Sequence, residues 1–226
     1  MKKTIATFVL TTLFAVSILL SSCNSPSTEN TDKEKLAMVE AEFYAKSELK
    51  LAMRKLWEDH VVWTRNVIFC LVDRLPGKDQ AVNRLLQNQV DLGNAIKPYY
   101  GEEAGKKLTD LLYPHITIAA EVVNSAKAGN TAALDEANKK WYANANEISE
   151  FLSTANPNWG LEEMKMMMHE HLKLTTNEAV QRIKKDYDAD VIAYDKVHEA
   201  ILKMSDMLAD GIVKQFPEKF TISSTK

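Results

Sequence analysis

From about residue 35 onward, apolar residues recur three and four positions apart in long runs, with almost no strict alternation. That spacing marks helices with one buried stripe, and strand signals are weak throughout. It predicts six helices, over residues 35–75, 78–97, 102–128, 131–154, 161–185 and 187–215. Pro76-Gly77, Pro98, Gly129-Asn130, the stretch ANPNWG and Pro217 punctuate them. Pro114 is expected to kink the third helix, and Thr131 is placed as the N-cap of the fourth. Connections of a few residues imply antiparallel neighbours. The expected fold class is therefore all-α: an antiparallel bundle of about six helices forming one domain over residues 35–220, with a tail at 221–226.

Extending the stripes brings out the chemistry. The first helix reads Leu49, Met53, Leu56, His60, Trp63, Val67, Cys70. The third reads Leu108, Leu111, His115, Ile118, Val122, and the fifth reads Met164, Met167, His171, Leu174 with Glu178 beyond. The sixth reads Val191, Tyr194, His198, Ile201, Ser205, Leu208, Ile212. Four of the five histidines thus fall on apolar seams, each on a different helix and near its middle. Helices rise about 1.5 Å per residue, so central positions on packed neighbours meet in one layer. His169 lies about 200° round the helix from His171 and is expected at the surface or behind the site.

Carboxylates and amides accompany the seam. Glu178 lies two turns from His171, and Asp195 precedes His198 by three, a D-x-x-H pair. Asn88 and Asp91 follow on the second helix; Trp141, Asn144 and Ile148 mark the fourth, with Glu147 alongside. Thr64 and Thr175 stand one turn after His60 and His171. So many buried polar groups are unfavourable unless they pair with each other, with water or with an ion. The expected metal ligands are His60, His115, His171, His198, Glu178 and Asp195. Asp91, Asn88, Asn144, Glu147, Thr64 and Thr175 are expected to support them. Imidazole with carboxylate suits Fe, Zn, Cu or Mn. A metal-free network of satisfied core histidines, serving an envelope module that binds a small ligand or a protein, is the other expectation. Haem lacks a C-x-x-C-H attachment motif here. WEDHVVWTR and MHEHLKLTT align around His60 and His171, which suggests two related halves with His115 mirrored by His198.

The N-terminus changes the picture of location. Lys2 and Lys3 precede an apolar run from Ile5 to Leu20, a signal-peptide pattern over residues 1–22. Leu20-Ser21-Ser22-Cys23 resembles the lipobox of bacterial lipoproteins, which implies cleavage before Cys23 and lipid on that residue. Each buried CH₂ of such a lipid adds about 0.8 kcal/mol of membrane affinity. Residues 23–34, rich in Ser, Thr and Asn, read as a flexible tether. The expected partner is the membrane, and the expected place the bacterial cell envelope. Asn24 after the cysteine favours the outer membrane in a Gram-negative cell. Loss of two lysines with the signal peptide takes the net charge from −3 to −5, which argues against nucleic acid. Cys70, in the apolar VIFCLV, reads as a core thiol.

The segments LWEDHVVWTR, NQVDLGNAIKPYYG, WYANANEI, ANPNW, MHEHLKLTTNEAV, AYDKVHEAIL and DMLADGIVKQFP resemble a family of uncharacterised bacterial helical proteins. They cover most of residues 56–217. The resemblance implies an all-helical domain and no established activity. Neither a P-loop nor a Rossmann glycine pattern is present to suggest kinase or glycosyltransferase chemistry.

Overall fold

The computed structural model describes residues 28–221. Cys23, the signal-peptide segment and the end of the tail lie outside the described residues. The chain divides into two units, Met1–Ala37 and Met38–Lys226. In the first, the described residues are helical, so residues 28–34 belong to a helix where a tether was expected.

The described residues are all-helical: α1 Thr28–Asp73, α2 Lys78–Ala128, α3 Thr131–Ala155, α4 Leu161–Lys184 and α5 Tyr187–Gln215, closed by a 3-10 turn at Pro217–Lys219. Five helices stand where six were expected, because α2 continues through Pro98 and Pro114. Its one interruption is Gly101, at φ 86° and ψ 171°, a conformation open to a residue without Cβ. The two arms of α2 pack closely. A Cβ on Gly93 would lie 2.5 Å from the Gly105 carbonyl oxygen, and one on Gly105 would lie 2.6 Å from that of Gly93. Gly129, in the left-handed region, ends α2. Asn130, rather than Thr131, caps α3: its side chain accepts from Ala133 N at 3.1 Å. An Asn cap satisfies one of the free N–H groups of the first turn.

Burial repeats along the second unit with a period near two helices. Met53, Leu108 and Met164 are buried, as are Trp57, Leu112 and Met168, and Ile68, Val123 and Ala179. These sets are 55 and 56 residues apart. On the alternate arms Ala81, Ala137 and Ala193 are buried, with Leu85, Trp141 and Val197, and Ile96, Leu152 and Leu208, spaced 56 and 56. The core is thus lined by three successive units of this period, each placing the same positions inward. A fully buried Leu, Ile, Val or Met side chain among them contributes about 1.5–3 kcal/mol. No helix among the described residues is long and apolar enough to cross a membrane.

Candidate metal centre

The same period carries the histidines. His60 on α1, His115 on α2 and His171 on α4 follow it and are all buried. Their ring centroids form a triangle: 5.6 Å from His60 to His171, 6.2 Å from His115 to His171, and 6.5 Å from His60 to His115. All three line one cavity of about 40 Å³, otherwise walled mainly by Val, Ile, Leu and Ala side chains.

Burial dominates their electrostatics. It pushes His60 down to about 3, helped by the neighbouring His115. It pushes His115 down to about 4 against the hydrogen bond to Asn144. His171 is held well below the usual histidine value by burial and by both neighbours. All three imidazoles are therefore neutral at pH 7, the form that offers a lone pair to a metal.

Amides from the following helix orient two of the rings. His115 Nδ1 lies 3.0 Å from Asn144 Oδ1, and Asn144 Nδ2 donates to the Leu111 carbonyl at 3.0 Å. That anchor leaves the amide oxygen facing the ring, so Nδ1 carries the proton and Nε2 the lone pair. Asn88 Nδ2 donates likewise to the Leu56 carbonyl at 2.9 Å, four residues before His60. Here Gln89 meets the ring, its Nε2 lying 3.4 Å from His60 Nδ1 and donating to the Leu85 carbonyl at 2.8 Å. Gln89 Oε1 is buried without a partner. In the third unit Ala200 replaces the asparagine, and His171 Nδ1 is buried without a partner.

Three further polar groups face the same region. Thr64 Oγ1 donates to the His60 carbonyl at 2.7 Å. Thr175 Oγ1 and Trp141 Nε1 are buried without a partner, and both residues line the cavity.

The structure does not bring the remaining expected ligands to this triangle. His198 is half-buried, and its Nε2 meets Glu58 Oε1 at 2.9 Å. The expected seam of α5 is buried from Ile201 through Ser205, Leu208 and Ile212, but before it the buried face runs through Ala193 and Val197, one position off, and Val191 is 54% exposed. Asp195 and Glu147 are exposed. Asp91 accepts from Gln87 at 3.0 Å on the outside of α2. Glu178 is buried, but its Oε1 accepts from Arg65 at 2.6 Å. His169 Nε2 lies 2.8 Å from Asn146 Oδ1, away from the triangle as expected. Cys70 is half-buried rather than fully enclosed.

Sequence reasoning missed Gln89 and the ion network beside Glu178. Arg65 also donates to Asp190 at 3.0 and 3.2 Å, and Arg182 joins Asp190 to Asp73. Gln89 was detectable, since it stands between Leu85, Leu92 and Ile96 at helical spacing. Asp190 was not, because it falls in the first turn of α5, among other acids.

The triangle is slightly wider than a loaded metal site. A nitrogen about 2.0–2.1 Å from an ion puts its ring centroid about 3.2 Å away, so tetrahedral ligands have centroids about 5.2 Å apart. Accordingly, among the described residues no group of three His, Cys, Asp or Glu side chains already stands close enough to hold a metal ion. Comparison with family models, with curated proteins and with solved structures returns no match to this chain.

Proposed function

We propose that this chain is a cell-envelope protein, anchored through lipid on Cys23, that binds one transition-metal ion among His60, His115 and His171. The observation that carries this reading is three buried imidazoles, from three different helices, around one cavity. Divided at Gly101, its α2 supplies two arms, and the bundle becomes six helices with short, antiparallel connections. His198 and Asp195 are not part of the site. Glu178 acts at most from behind it, through its pairing with Arg65.

Elemental analysis of the protein purified without a histidine tag tests the reading. One equivalent of Fe, Zn, Cu or Mn per chain is expected, falling to background in His171→Ala and unchanged in His198→Ala. No retained metal, and no rise in melting temperature on adding any, refutes it. Palmitate incorporation that persists in Cys23→Ala would refute the anchor.

A second reading has its own observation. The amides of Gln89 and Asn144 already meet two of the rings, as in a structural hydrogen-bonded network. In that case the cavity serves a small metal-free ligand, and the chelator-treated protein melts where the untreated protein does.

A further inference from the structure

Resting on that metal reading, we infer that the triangle is built for a monovalent, three-coordinate ion, Cu(I), in preference to a divalent one. The first argument is charge. The ligands are three neutral nitrogens, and no carboxylate or thiolate lines the cavity. Its polar lining besides the histidines is the hydroxyls of Thr64, Thr175 and Thr176 and the indole of Trp141. The buried carboxylate of α4, Glu178, does not line the cavity: its Oε1 is held by Arg65, which with Arg182 also engages Asp190, and its Oε2 is buried without a partner. A divalent ion would keep both charges in an apolar enclosure. The cost of burying charge grows with its square, so a single charge is far less unfavourable there.

Shape is the second argument, and it is independent of charge. Three rings around a planar three-coordinate ion have centroids about 5.5 Å apart, against about 5.2 Å for a tetrahedral one. The observed separations of 5.6, 6.2 and 6.5 Å exceed both values, so the rings close in for either ion, and what separates the two ions in shape is the fourth ligand. Divalent zinc completes its shell with a fourth ligand, commonly water or an anion. The residues around the triangle present mostly methyl and methylene groups to such a ligand. Hard ions such as Mn(II) and Mg(II), which favour carboxylate and water, are further disfavoured.

The test is an anaerobic competition on the full-length protein purified without a histidine tag. Cu(I) is titrated against bicinchoninate, and Zn(II) against a chromophoric zinc chelator. One Cu(I) per chain is expected, held at least about tenfold more tightly than Zn(II). X-ray absorption of the Cu(I) form should show three nitrogen scatterers and no sulfur. His171→Ala should lose the ion and His198→Ala keep it. If circular dichroism finds His171→Ala unfolded, His115→Gln and the wild-type Cu(I) to Zn(II) ratio decide. Zn(II) binding as tightly as Cu(I), at one per chain and lost in the same variants, overturns the monovalent inference and leaves the metal reading standing. Binding of neither ion overturns both.

Discussion

At the scale of residues, the three histidines dominate the response to pH. Their folded values lie below the ordinary 6.5, so below that pH the unfolded chain takes up protons that the folded chain refuses. Stability of the metal-free protein therefore falls as pH drops from about 6.5 toward 4, by about 1.4 kcal/mol per histidine per pH unit. Glu178 acts in the opposite sense. Burial raises it from 4.5 to about 7, so the folded chain keeps a proton that the unfolded chain gives up. That offsets one histidine, and near pH 5.5 unfolding should bind about two protons net. Urea midpoints at pH 7.5 and 5.5 check this; an unchanged midpoint would contradict buried neutral rings. Asn144 is the other informative residue. Asn144→Ala removes the anchor of His115 and the partner of the Leu111 carbonyl, an expected loss of about 1–3 kcal/mol in denaturant melts. The placement of His60, His115 and His171 was legible because each stands between residues that are themselves buried. His198 was misjudged by a single position, since Val191, which α5 turns out to solvent, and Tyr194, only half-buried, gave a plausible seam.

Among the helices, punctuation was legible and continuity was not. Pro76-Gly77, Gly129-Asn130 and ANPNWG separate helices as their turn chemistry requires. Pro98 misled, because the chain breaks three residues later, where Gly101 can take a positive φ. What folds the arms of α2 together is also a glycine effect, visible only in three dimensions. Gly93→Ala would put a methyl group 2.1 Å from Thr109 Oγ1 as well as against the Gly105 carbonyl. Separating the arms should cost about 1–3 kcal/mol, read as a lower melting temperature. A variant as stable as the wild type would mean that the arms are not held at this contact.

For the molecule as a whole, the period of burial is the organising fact, and the sequence concealed it. The three units share burial far more than identity: Leu85, Trp141 and Val197 are equivalent inward positions with no chemistry in common beyond being apolar. The histidines, and the alanines Ala81, Ala137 and Ala193, are the same residue in all three. The suggested two-halves alignment caught His60 with His171 but paired His115 with His198, where the burial period pairs it with both. The third unit lacks the asparagine of the other two. Ala200→Asn should give the Met167 carbonyl and His171 the amide they lack, raising stability by about 1 kcal/mol. A clear loss of melting temperature would contradict the equivalence of the units.

The most direct test of the account is long-range ¹H–¹⁵N NMR of the histidine-labelled protein during titration with one equivalent of Zn(II) or, anaerobically, Cu(I). The account predicts that the ring nitrogens of His60, His115 and His171 shift together and saturate at one ion per chain. His169 and His198 should remain where they were. Shifts confined to His169 or His198, or none in the buried three, would contradict it.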